Sequence, residues 1–188
     1  LPAADLSELF ARPDWSVLAT KAVTHTGDVE DVRLLNPLPR PAKVICCGLN
    51  YADHIIEMGR ELPDFPTLFA KYADTLIGPT DEIHVPAQVD LDWEAELAVV
   101  VGETLRQANQ AQARAAIAGY TVANDISVRD WQRRTLQWFQ GKAWDATTPV
   151  GPVVVTPDEL DPEAGLELTC QVNGETVQDG HTGQMIFG

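Results

Sequence analysis

The run LDWEAELAVVVG, Leu91 to Gly102, most constrains what this chain can fold into. Its second half is apolar and β-prone, yet two glutamates stand two residues apart within it. In an extended strand, residues i and i+2 point the same way and lie roughly 6.5 to 7 Å apart. Asp92, Glu94, Glu96, Ala98 and Val100 therefore share one face. Leu91, Trp93, Ala95, Leu97, Val99 and Val101 share the other, which reads as core. Two carboxylates at that spacing repel by about 0.6 kcal/mol in water and about 2.4 kcal/mol at an effective dielectric of 20. A sheet face that becomes wet at one end tolerates them. A divalent cation between them turns the repulsion into attraction.

A third acid is needed to choose between these readings, and GYTVAND offers one. Asp125 ends a strand of its own, beside Asn124 and the polar cluster Ser127, Arg129 and Asp130. Strand ends commonly carry functional side chains, although Asp is also an ordinary turn former. If Glu94, Glu96 and Asp125 converge, the site is all oxygen, which favours Mg²⁺, Mn²⁺ or Ca²⁺ over zinc.

The 188 residues, 45% of them hydrophobic, suffice for one sizeable core with a small appendage. Thirteen Lys and Arg against 28 Asp and Glu give a formal charge of −15. Such a charge repels phosphate backbones and anionic lipid, so neither a nucleic-acid nor a membrane partner is expected. No apolar run approaches the roughly eighteen residues of a membrane span, and the N-terminus lacks a signal-peptide pattern. Three cysteines without CxxC spacing fit a reducing, cytoplasmic setting and exclude a thiolate zinc site. The chain begins LPAADLSELF without Met and ends HTGQMIFG after strand-like material, so missing ends are expected.

Along the chain, SELFARPDWSVL predicts a short helix, followed by a turn at Gly27 before VEDVRLL. The connector NPLPRPAK, 36–43, cannot enter a central strand. These segments define an N-terminal appendage over residues 1–40 and a main domain over 41–188. KVICCG predicts a strand ended by Gly48. NYADHIIEMG predicts a short helix with Asn50 as N-cap, Asp53 at N3 and Gly59 as its stop. NQAQARAAIAGY predicts a helix with Asn109 as N-cap, Gln112 at N3 and Gly119 beyond its end. TLFAKYADTLIG and GPVVVT predict strands, and SVRDWQRRTLQWFQGK a helical turn entering a long loop. LELTCQVNGETVQ predicts a hairpin about Asn173-Gly174, with Leu166, Leu168, Cys170 and Val172 on one face. The fold class is α+β with much antiparallel sheet.

Four ordered blocks, GLNYADHIIEMG, LDWEAELAVVVG, GYTVANDISVRDWQ and GKAWDATTPVGP, resemble the fumarylacetoacetate hydrolase family over about residues 36–187. The resemblance implies that family's mostly antiparallel, mixed sheet roll or barrel with few short helices. It also implies further C-terminal strands with a TGTPxG-like turn. Carried over by position, it implies that Glu94, Glu96 and Asp125 bind Mg²⁺ or Mn²⁺. It makes His54 and Glu57 a catalytic dyad on a short helix, where positions i and i+3 face one way. Lys142 matches a lysine that stabilises negative charge on substrate, Gln132 a polar residue near the reacting group, and Lys71 and Tyr72 further substrate contacts. Read without the resemblance, each of these is an ordinary exposed side chain.

The implied activity is hydrolysis of a carbon–carbon bond in a small 2,4-dioxo acid, such as an acylpyruvate, through a metal-bound enolate. Decarboxylation of oxaloacetate, or tautomerisation and isomerisation of hydroxymuconate-type acids, uses the same groups. The resemblance also implies a homodimer. Two other readings stay open at this stage: a non-catalytic module whose acids hold Ca²⁺, and a cysteine enzyme using Cys47 with His54.

Overall fold

The computed structural model describes residues 3–22 and 32–188. The turn expected at Gly27 and the start of VEDVRLL lie outside the described residues.

The N-terminal segment forms two helices rather than one, α1 (Leu6–Phe10) and α2 (Trp15–Lys21). Pro13 causes the break, since it has no N–H to donate and drives the residue before it out of the helical region. Asp5 caps α1 by accepting the Glu8 N–H at 2.9 Å, and Phe10 meets Trp15 edge-on at 5.0 Å.

After the irregular proline-rich connector come β1 (Val44–Gly48) and α3 (Ala52–Glu57). Asn50 does not cap α3; Tyr51 holds the N-cap position without a side-chain bond. Gly59, at φ 68°, adopts the left-handed conformation expected beyond the helix end. β2 (Thr67–Lys71) returns antiparallel to β1, and β3 (Leu76–Ile77) follows.

The acidic run is not one strand. It divides into β4 (Leu91–Asp92) and β5 (Ala95–Val101), with Trp93 and Glu94 between them. The face read as core is only partly covered among the described residues: Ala95 is buried and Trp93 and Leu97 half-buried, but Val99 is 51% and Val101 57% exposed. The register shifts between Val100 and Val101, and Val100 is buried instead. β5 ends its sheet, and at its start the outer backbone edge is met by the Gln178 side chain.

α4 (Gln110–Ala115) carries the expected reciprocal cap between Asn109 and Gln112. It ends earlier than expected, because β6 (Ile117–Asn124) already includes Gly119. Gly119 serves packing there: a Cβ would stand 2.5 Å from the Val155 carbonyl oxygen. Then follow β7 (Ser127–Val128), α5 (Arg129–Gln132), α6 (Phe139–Lys142) and β8 (Thr148–Val155). The hairpin of β9 (Glu167–Val172) and β10 (Glu175–His181) turns at Asn173 and Gly174, both with positive φ.

The principal sheet has the order β3-β8-β6-β5, with β3 parallel to β8 and the remaining pairs antiparallel. β1-β2, β4-β7 and β9-β10 form separate two-stranded sheets. The architecture is α+β with few short helices, and the described strands form no closed barrel. Ile55, Ala118, Val128 and Val150 are among the buried core residues.

One glycine fixes how the site is assembled. A Cβ on Gly141 would stand 2.5 Å from both the Gln132 nitrogen and the Val128 carbonyl oxygen, two main-chain atoms that cannot rotate away. Gly141→Ala must therefore push α6 off α5 and β7, carrying Lys142 with it. Overpacking of this kind costs about 2–3 kcal/mol. Urea denaturation is expected to show that loss, and an unchanged midpoint would contradict the tight packing.

Candidate active site

Pairing of β5 with β6 sets the register of the acids. Glu96 lies opposite Ala123, and the Asp125 N–H donates to the Glu94 carbonyl at 2.8 Å. Asn124 fixes the bend before β5 by accepting the Glu94 N–H at 3.1 Å. Acids from two separate segments are thus brought to one side of the sheet.

Two lysines meet them there. Lys142, 2% exposed at its side chain, donates from Nζ to Glu94 Oε2 at 2.6 Å and to Asp125 Oδ2 at 3.0 Å. Lys71, at the end of β2, donates to Asp125 Oδ1 at 2.5 Å. Arg129 contributes Nε to Asp92 at 2.6 Å and Nη1 to Glu94 Oε1 at 2.7 Å. Gln132 accepts from the same Arg129 Nη1 at 2.9 Å. Every carboxylate oxygen of Glu94 and Asp125 therefore has a cationic donor, an arrangement that offsets the cost of removing the charges from water.

Glu96 is the exception. Its side chain makes no hydrogen bond or ion pair among the described residues. Burial pushes its carboxyl up to about 8, with Glu94 and Asp125 adding to the rise and Lys142 opposing it. A desolvated carboxyl beside two others, without its own cation, suits a hard divalent ion, and the donor set is all oxygen. As the side chains stand, among the described residues no group of three His, Cys, Asp or Glu is arranged to hold a metal. The lysines occupy the inward-facing oxygens instead. The donor chemistry fits a metal, and seating one requires Lys142 or Lys71 to yield part of its contact.

His54 and Glu57 lie on α3 with Nδ1 and Oε2 3.9 Å apart, and their side chains are 64% and 83% exposed. Both line the same broad groove as Glu94, Glu96, Asp125 and Lys142. Tyr72 is exposed, its ring edge-on to Phe139 at 5.4 Å. The cysteines are all free. Burial raises the Cys46 thiol to about 12, and burial together with Glu96 also raises Cys47. Neither is a thiolate at neutral pH, which removes the basis for nucleophilic use of Cys47.

Sequence reasoning noted Arg129 and Ser127 only as a polar cluster. Arg129 is the counter-ion of Asp92 and Glu94, and Ser127 donates to the Asp125 carbonyl at 2.8 Å. The signal available was an arginine placed just after an Asp-terminated strand, in a chain with few cations to spare.

The pattern of the family described as Fumarylacetoacetate (FAA) hydrolase C-terminal matches residues 43–188. The chain belongs to the fumarylacetoacetate hydrolase family. It is 45% identical over 160 residues to the mitochondrial oxaloacetate tautomerase FAHD2A of Homo sapiens, a match covering 84% of this chain and 51% of that protein. The fold matches the crystal structure of 5-carboxymethyl-2-hydroxymuconate delta-isomerase from Mycobacterium smegmatis with a TM-score of 0.76 and 38% identity. That match covers 87% of this chain and 62% of the other. Fumarylacetoacetate hydrolase from Exiguobacterium antarcticum matches with a TM-score of 0.73 and 38% identity, over 89% and 64% of the two chains. The chain spans about half the length of the curated relatives it matches. Among the described residues no helix is long and apolar enough to cross a membrane.

Proposed function

We propose that this chain moves a proton on a small 2-oxo acid, interconverting the keto and enol forms of an oxaloacetate-type dicarboxylate. The observation that carries the reading is the Lys142 ammonium. It is buried, held by two carboxylates, lies 5.3 Å from the Phe69 ring centroid, and has a third N–H with no hydrogen-bond partner among the described residues. A fixed positive donor of this kind is suited to the oxygen on which enolate charge develops. The likeness to the human oxaloacetate tautomerase over most of this chain supports the substrate class.

Glu94, Glu96 and Asp125 would hold Mg²⁺ or Mn²⁺, with Ca²⁺ an alternative. When bound, such an ion supplies Lewis-acid polarisation of the substrate's carboxylate and 2-oxo oxygens. The Glu57 carboxylate, with His54 beside it, takes a proton from the carbon next to the 2-oxo group. The electron pair moves onto the 2-oxo oxygen, where the third Lys142 N–H stabilises the charge by donating a hydrogen bond, and return of the proton held by Glu57 to that oxygen completes the enol. The reverse sequence returns the keto form. Lys71, Tyr72 and Gln132 are assigned to the substrate's remaining polar groups.

A second reading is hydrolysis of a carbon–carbon bond in a 2,4-dioxo acid, favoured by the pairing of His54 and Glu57, which suits activation of water. The proposal includes a homodimer in a reducing compartment, in keeping with three free cysteines, and the charge of −15 disfavours nucleic-acid and membrane partners.

The test measures ketonisation of enol-oxaloacetate and pyruvate release from acylpyruvates, with Mn²⁺ and with EDTA. Metal-dependent ketonisation without pyruvate release is expected. Release of pyruvate at a comparable rate would replace the tautomerase reading with the hydrolase one.

A further inference from the structure

Two side-chain amides in this protein imitate a strand neighbour. On β10, Gln178 accepts the Ala95 N–H at 2.7 Å and donates back to the Ala95 carbonyl at 2.8 Å. Ala95 is the residue between Glu94 and Glu96. The register of the β9-β10 pair shifts between Thr176 and Gln178, and an irregularity of that kind re-aims a side chain.

Further along the same segment the pattern recurs with the roles exchanged. The Asn50 side chain accepts the Phe187 N–H at 2.8 Å and donates to the Phe187 carbonyl at 3.0 Å. The Asn50 carbonyl accepts the Ile186 N–H at 2.9 Å, and Tyr51 bridges Met185 in antiparallel fashion. Tyr51 is the N-cap of α3, which carries His54 and Glu57.

The segment between these anchor points is tied down at Thr182. Thr182 is buried, its hydroxyl accepts the Leu166 N–H at 2.8 Å and donates to the Pro162 carbonyl at 2.7 Å, and its own N–H donates to the Leu166 carbonyl at 2.9 Å. We propose that Gln178 and Asn50 are positioning residues that suspend the acidic strand and the α3 helix from one segment, residues 178–187. That segment then fixes how far His54 and Glu57 stand from Glu94 and Glu96. Sites of this kind need their groups held to about half an ångström, and partners behind the primary groups supply that hold. The inference rests on the reading that the three acids hold a divalent ion and that His54 and Glu57 move the proton.

Three measurements test it. In the unmodified protein, the Ala95 and Phe187 amides have side-chain acceptors, and they are expected to exchange with deuterated water as slowly as amides of the β5-β6 ladder. Rapid exchange at either would overturn the proposal without any variant. In Gln178→Met, which keeps length and loses both bonds, Ala95 exchange is expected to accelerate at least about tenfold. Its Kd for Mn²⁺ is expected to rise about tenfold, read by electron paramagnetic resonance on protein whose circular dichroism is unchanged. Asn50→Leu is expected to leave the Mn²⁺ Kd within about twofold and to lower kcat about tenfold at a similar KM. Unchanged Ala95 exchange or an unchanged Mn²⁺ Kd in Gln178→Met would overturn the positioning role. Glu96→Gln serves as the control for the metal reading. If the unmodified protein binds no Mn²⁺, that reading fails, while the two exchange measurements still decide the proposal.

Discussion

Lys142→Met is expected to cost about 3–5 kcal/mol of stability, among the largest losses available from a single substitution in this chain. The ammonium is shared by Glu94 and Asp125, both drawn into the protein. Its removal strands two carboxylates whose inward-facing oxygens have no other cation: Glu94 Oε2 and Asp125 Oδ2. Arg129 and Lys71 neutralise the remaining oxygens, so the damage should be local. Turnover is expected to fall about 10²- to 10³-fold, the usual loss when a donor to developing oxyanion charge is deleted. Urea titration and enol-oxaloacetate kinetics check the two effects separately. Lys142→Arg should recover most of the stability, since the charge returns, but not the rate, since the planar guanidinium cannot place its donors as the ammonium does. A stability near the unmodified value for the Met variant would contradict the buried ion pairing.

Glu96→Gln is expected to act in opposite directions with and without metal. In the metal-free protein the carboxyl titrates at about 8, above its ordinary value, because burial and the neighbouring acids disfavour its charge. A carboxyl whose folded pKa lies above its unfolded one stabilises fully below the unfolded pKa and loses that contribution as pH rises through the folded pKa. Stability should therefore decline between about pH 4.5 and 8, with a slope of up to about 1.4 kcal/mol per pH unit. Glutamine carries no charge to desolvate, so the variant in EDTA should lack that slope and gain on the order of 1–3 kcal/mol near neutral pH. Saturating Mn²⁺ reverses the ranking. An ion present at a thousand times its Kd adds about 4.1 kcal/mol to the unmodified protein, more than the variant's gain, and nothing to a variant that cannot hold it. Thermal melts at several pH values, with EDTA and with Mn²⁺, should show the curves crossing. A variant that remains Mn²⁺-stabilised would remove Glu96 from the metal set.

How much of this was legible beforehand depended on whether the signal was local. The reciprocal cap of Asn109 and Gln112 and the turn at Asn173-Gly174 are decided by a few adjacent residues, and both appear as expected. The meeting of Asp125 with Glu94 follows from two strands ending at matched positions, and the resemblance of ordered blocks made the convergence readable. What failed was non-local. Asn50 has the chemistry of a helix cap, but Phe187 offers its amide two backbone partners at once, so tertiary pairing overrides local preference. Gly119 looks like a helix stop until the Val155 backbone is seen pressing against it within the sheet. The division of Leu91–Val101 is invisible in the alternation of residue types, because it arises from β4 pairing with β7 while β5 pairs with β6. The place of Arg129 after an Asp-terminated strand signals an ion pair, but its partners Asp92 and Glu94 lie far away in sequence and only the fold names them.

The pairing of Glu96 with Ala123 leaves no freedom in reading frame along this stretch. Side chains alternate at every step of a strand, so a slip of a single residue exchanges its two sides wholesale. A slip of one residue in the β5-β6 pairing would turn Glu96 to the outside and present Ala95 or Leu97 to the lysines. The irregular connection between α5 and α6 can lengthen or shorten without such a penalty. Along a lineage, the ruler that keeps the acids facing inward should therefore hold its length even where the identity of its apolar residues drifts.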